Sequence, residues 1–138
     1  MNQVLMNEMK KQLTMHEGKK HTAYTCPGGK LTIGVGRNLE DRGLSDDEID
    51  YLLSNDIKST YAELSRRFKG FSELDDVRQQ VLVDMGFNLG MAGLFKFKRM
   101  FAALDIKDYD KAAVEMLDSR WACQVGHRAH RLADMMRR

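Results

Sequence analysis

Residues 17–38, EGKKHTAYTCPGGKLTIGVGRN, switch the chain from a helical to an extended period within a few positions. Upstream, Leu5, Met6, Met9 and Leu13 fall within one stripe of about 100° on a helical wheel, so residues 3–17 read as an amphipathic helix capped by Gly18. Downstream, AYTC and KLTIGVG flank Pro27-Gly28-Gly29, the pattern of two short antiparallel strands over 21–36 joined by a tight turn. Glu17 sits in the last turn of the helix, where the partial negative charge of the C-terminus disfavours another anion. A purely structural design would sooner place Lys there.

Further along, Ser45 and Glu48 have capping-box spacing, and Ile49, Leu52, Leu53, Ile57 and Leu64 continue a helical stripe, which predicts a long helix over 46–67. A weaker cap at Ser72 and Asp75 precedes Leu74, Val77, Val81, Leu82, Met85 and Leu89, which share one face up to Gly90. More helices are expected at 92–104, 108–118 and 127–137, divided by Gly93, residues 105–107 and Gly126. The fold class is α+β, mostly α. It is expected as one domain over 1–138, with a hairpin lobe at about 17–45, a connecting helix at about 46–67, and a helical lobe at about 71–138 that includes the helix 3–17.

Composition bounds the function. With 138 residues, 30% of them charged, 43% hydrophobic and one proline, the chain has the profile of a helical globular domain that needs neither disulfide nor metal to fold. A net charge of +2 is too small to argue for nucleic acid, although acidic residues gather at 40–56 and Arg120, Arg128, Arg131, Arg137 and Arg138 at the other end. Cys26 and Cys123 match no metal-ligand spacing and read as reduced thiols of a cytoplasmic protein. The N-terminal segment has neither the apolar core of a signal peptide nor the span of a membrane helix.

Eight residues separate Glu17 from Cys26, and five separate Cys26 from Thr32. In that spacing, ahead of a glycine-rich strand, the segment resembles the phage-type lysozymes, whose pattern is Glu-x8-Asp-or-Cys-x5-Thr. LDDVRQQVLVDMGFNLG, AAVEMLDSRW and GHRAHR resemble later segments of the T-even phage lysozyme-like muramidases in the same order, so the likeness spans nearly the whole chain and is weakest between Asn38 and Gly70.

The resemblance implies a lysozyme-like two-lobe fold that hydrolyses the β-1,4 bond between N-acetylmuramic acid and N-acetylglucosamine in peptidoglycan. Glu17 would be the general acid, a role that needs a carboxyl still carrying its proton near neutral pH. Arg128, in HRAHR, matches a family arginine that pairs with the acid and would orient it. Cys26 stands where many members place a second carboxylate, and an unperturbed thiol at pH 7 is ionised only about one part in 30. Thr32 could hold the attacking water so that water, Cys26 and the sugar carbon line up. Inversion is what the resemblance implies, with covalent attack by sulfur as the alternative. Phe87 points about 140° from Leu74, off the apolar stripe, and with Asn88 matches substrate-contacting positions of the family.

Other features have plainer readings. Gly34 and Gly36 lack the spacing of a phosphate loop and suggest close backbone packing. Trp121, Phe95, Phe97, Met100, Phe101 and Met116 read as core, and Tyr24 equally as core or substrate-binding wall. His127 and His130 lack a third metal ligand. A Cys26–Cys123 disulfide is a minor alternative to two free thiols.

The expectation is therefore an endolysin: a monomeric muramidase without cofactor or metal, acting on peptidoglycan and not on nucleic acid. It would not insert into membranes. It would accumulate in the host cytoplasm and reach the periplasm and wall after a separate holin, not in direct contact with it, opens the membrane. A lytic transglycosylase giving 1,6-anhydro products and a non-catalytic wall-binding module are the alternatives.

Overall fold

Asn2 starts the first helix, its Oδ1 accepting from the Leu5 N–H at 2.7 Å, and α1 runs Gln3–Glu17. Gly18, with φ +78, ends it by donating its N–H to Thr14 O at 2.9 Å. The chain then enters an antiparallel sheet of three strands in the order β1 (Lys20–Thr25), β2 (Leu31–Gly34), β3 (Arg37–Asn38). Tyr24 pairs with Thr32 and Thr25 with Leu31, and a bulge between Lys20 and Tyr24 shifts the register towards the open end. The expectation of two strands misses β3, which has only two residues and pairs through Thr32–Asn38 and Ile33–Arg37. A segment that short leaves no readable period.

α2 spans Asp46–Arg67 with its expected cap: Glu48 N–H donates to Ser45 Oγ at 3.3 Å and Ser45 N–H to Glu48 Oε1 at 2.8 Å. Glu48 is also gripped by Arg37, whose guanidinium forms a two-pronged ion pair with it and donates to Gly43 O at 3.0 Å. One carboxylate thereby fastens β3 to the start of α2.

The computed structural model describes all residues, Met1–Arg138, and resolves into two compact units, Met1–Leu52 and Leu53–Arg138. α1, expected with the helical lobe, groups with the hairpin, and the boundary runs through α2 instead of flanking it. No residue of α1 is buried, so nothing in its packing assigns it to a helical core.

The second unit holds the core. Its elements are the remainder of α2, a 3-10 turn (Phe71–Glu73), α3 (Asp76–Leu94), α4 (Lys98–Asp105), α5 (Tyr109–Leu117), α6 (Arg120–Val125) and α7 (His127–Arg137). Val81, Leu82 and Met85 of α3 are fully buried with Leu64, Phe71, Leu94, Met100, Met116 and Met136. α5 and α7 meet through Ala112, Ala113, Ala129 and Ala133, small residues that let two helices approach closely. Arg78 is buried among them, its Nε on Met136 O at 2.8 Å, its Nη1 on Asp75 at 3.0 Å, and its guanidinium 3.7 Å from the centroid of Tyr109. A buried cation requires such partners.

Local differences from expectation follow from backbone chemistry. The Ser72 cap does not form, because Asp75 is the N-cap and its carboxylate goes to Arg78. α3 breaks at Gly90 (φ 75, ψ 164), where its apolar stripe was expected to end, and the helix expected over 92–104 divides between the end of α3 and α4. α6 was not anticipated, although Ser119 caps it by accepting from Ala122 N–H at 3.1 Å. The α+β, mostly α class is borne out, and no helix is long and apolar enough to cross a membrane.

The Arg37 guanidinium, with the Ser45 N–H, holds the Glu48 carboxyl down at about 2, below its usual range. Since the folded value lies below the unfolded one of about 4.3, the pair stabilises above that value, and its contribution fades as the pH falls from about 5 towards 2. Glu48→Gln should therefore lower Tm at pH 7, and the gap from the parent should close by about pH 2. A gap independent of pH in thermal melts would contradict this origin.

Candidate active site

Glu17 ends α1, exposed, with its carboxylate lying over the turn between β2 and β3. A Cβ built on Gly36 would be 3.0 Å from Glu17 Oε2 and 3.1 Å from its Cδ, and Gly36 has φ +69. Both space and conformation thus disfavour a side chain at this position. The close packing expected of the glycine-rich strand is present here, and its partner is Glu17.

At the other end of β2, Cys26-Pro27-Gly28-Gly29 forms the turn from β1. Gly29 N–H donates to Cys26 O at 2.8 Å, Cys26 N–H donates to Lys30 O at 2.9 Å, and Gly29 is left-handed with φ +83. Pro27 presets the second position and glycine supplies the positive φ. The half-buried Cys26 sulfur is faced by the main-chain N–H of Lys30, by the Thr32 hydroxyl and by the N–H of Gly28, which together hold the thiol below its ordinary pKa against a smaller opposing effect of burial. Such donors stabilise the thiolate more than the thiol.

Thr32 is 3% exposed, and its hydroxyl donates to Lys30 O at 2.9 Å. One hydroxyl proton therefore has two acceptors, the Lys30 carbonyl and the sulfur once it is ionised. This commits the Thr32 proton to the loop and to Cys26, while its oxygen lone pairs remain able to accept from a water. Tyr24 stands half-buried as the cross-strand neighbour of Thr32. The sequence motif picks out these side chains but misses the main-chain donors of Gly28 and Lys30, for which Pro27-Gly28-Gly29 was the available signal.

In the second unit Phe87 is 42% exposed on α3, as its angle off the apolar stripe suggested. Asn88 is also exposed, but its Oδ1 accepts from the Trp121 indole N–H at 2.6 Å, which leaves its amide nitrogen as the outward group. Trp121 is buried as expected and also walls an open cavity of about 590 Å³ with Phe97, Arg99, Glu115, Arg120 and Gln124. Arg128 lies on Asp84, with Nε 2.8 Å and Nη2 2.6 Å from Oδ1, tying α7 to α3. Asp84 is a partner that the sequence did not point to.

Thr32→Val keeps the shape of the residue and removes one donor, so the pH at which Cys26 becomes reactive should rise and its alkylation by iodoacetamide at pH 7 should slow, while Thr32→Ser should stay close to the parent. Alkylation rates followed against pH, with Cys123→Ser as background, check this. Superimposable profiles would remove the hydroxyl from the account.

Comparison with known proteins bears on the whole chain. It is 22% identical to the probable T4-type lysozyme 1 of Dictyostelium discoideum, with 96% of this chain and 95% of that one aligned. It is 23% identical to the probable T4-type lysozyme 2 of the same organism, over 93% and 92%. It is 27% identical to the pre-baseplate central spike protein Gp5 of Enterobacteria phage T4, where 90% of this chain corresponds to 26% of the other. The family model for phage lysozyme matches residues 14–138, which takes in Glu17, Cys26, Thr32 and the entire second unit, and the chain belongs to the phage lysozyme family.

Proposed function

We propose that this protein is a lysozyme-type peptidoglycan hydrolase that cleaves the β-1,4 bond between N-acetylmuramic acid and N-acetylglucosamine with inversion. Glu17 is the general acid and Cys26, as thiolate, the general base. The observation that carries the reading is that β2 has Cys26 against its start and leads at its end into the turn under Glu17. Thr32, which faces Cys26, and the Gly34 end of β2, which leads into the turn under Glu17, lie two residues apart. Inverting glycosidases keep acid and base about 6.5–9.5 Å apart to admit a water, and one short strand with its two turns is a scaffold of that scale.

Glu17 gives its proton to the oxygen of the leaving sugar as the glycosidic bond breaks. Water attacks the anomeric carbon from the opposite face and loses a proton to the Cys26 sulfur. The lowered thiol pKa raises the thiolate fraction available near neutral pH. Exchange with solvent then returns the proton to Glu17 and removes it from Cys26. Phe87 and the outward amide of Asn88 serve as sugar contacts, Tyr24 supports the strand beside Thr32, and Arg128 acts through its tie to Asp84. In this reading the protein works as a monomer for host lysis, passing from the host cytoplasm to the wall through a lesion made by a separate holin.

Reducing-end release from purified peptidoglycan, with mass spectrometry of the products, tests the reaction. Hydrolysis leaves products one water heavier than the 1,6-anhydro ends of a transglycosylase, and no release by folded protein would end the enzyme reading. Glu17→Gln should cost about 10²–10⁴ in rate. Cys26→Ser should lose most activity, because a hydroxyl does not ionise near neutral pH, while Cys26→Asp should retain activity with its acid limb moved to lower pH. Equal rates for the Ser variant and the parent would sink the base role.

A further inference from the structure

On the second unit, α2 and α3 leave an open pocket of about 280 Å³ walled by Asp56, Ser59 and Thr60 of α2 and by Gly86 and Phe87 of α3. Gly86 creates it. A Cβ there would lie 3.1 Å from Thr60 Cγ2 and 2.7 Å from Met91 Cε, so a larger residue would crowd α2 and require these side chains to shift. Ser59 and Thr60 follow Asp56 by three and four positions, which sets a carboxylate and two hydroxyls on one face of the helix.

The wall chemistry narrows the ligand. No cationic side chain lines the pocket, so it is not built for an anion. One carboxylate and two hydroxyls fall short of the 6–8 oxygens a calcium ion takes. Asp56 and Ser59 are exposed and Thr60 half-buried, so a purely apolar ligand would make no use of these three polar side chains. A ring with one C–H face and several hydroxyl or amide groups satisfies all of them: the apolar face lies on Phe87, the carboxylate accepts from O–H or N–H, and the two hydroxyls donate or accept. The volume is near the lower end of small-molecule pockets and suits one ring rather than a chain.

We infer that Asp56, Ser59 and Thr60, beside Phe87, form a subsite for one N-acetylhexosamine unit of a glycan strand. The inference rests on the proposed function for its substrate class and extends that reading to three residues of α2.

The probe is chitotriose, the soluble trimer of N-acetylglucosamine, titrated into the full chain by NMR or calorimetry. Asp56→Asn, Ser59→Ala and Thr60→Val alter polarity with little change of shape, and each should weaken binding about 5-fold, as loss of one hydrogen bond does. On solubilised peptidoglycan the same variants should raise KM by a similar factor with kcat within about 2-fold. Lys58→Ala, on another face of α2, should change neither. Failure of the parent to bind the trimer at millimolar concentration, or unaltered binding in all three variants, overturns the subsite. Failure of the parent to release reducing ends overturns the proposed reaction instead, and the binding arm still decides the subsite because it needs no turnover.

Discussion

The N–H groups of Gly28 and Lys30 face the Cys26 sulfur only while the turn from β1 to β2 keeps Gly29 left-handed. That single backbone constraint links the elements around the site. It fixes the Tyr24–Thr32 register, which brings the Thr32 hydroxyl to the same sulfur, and the register fixes where β2 ends. The end of β2 sets the glycine turn on which Glu17 rests. Glu17 and Cys26 are thus linked through one strand and two turns, and no large core is needed to hold them.

The second unit is built differently. Its helices are held by aliphatic and methionine packing around small alanine contacts, with Arg78 as the one buried cation and three separate partners to offset its desolvation. Its surface carries an aromatic ring left half-exposed, an asparagine anchored by a tryptophan, and a pocket beside a glycine. The first unit carries Glu17 and Cys26 at a helix end and a turn, and the second carries Phe87 and Asn88 on a helix, so the motif residues of the two units rest on different kinds of support.

Much of this was legible beforehand because the signals were local. The boundaries of α1 and α2, the Ser45–Glu48 box and the exposure of Phe87 all depend on residues within a few positions of one another. What escaped depends on partners distant in sequence or on the main chain. β3 is too short to show a period, and so is the six-residue α6. The ties from Arg37 to Glu48 and from Arg128 to Asp84 join elements that a periodicity cannot pair. The side chains of the site were readable from their spacing, whereas the amides that tune Cys26 were signalled only indirectly, by the turn residues Pro27-Gly28-Gly29.

The hydrogen bond from Trp121 to Asn88 has a spectroscopic side. Trp121 is the sole tryptophan of the chain, almost wholly screened from solvent, with Phe97 edge-on at 6.0 Å. Indole emission responds to the polarity around its N–H, and that N–H ends on the residue next to Phe87. Whatever pulls on Asn88 changes the surroundings of a single fluorophore, so the protein carries an intrinsic optical gauge of events at the Phe87 surface and needs no attached dye.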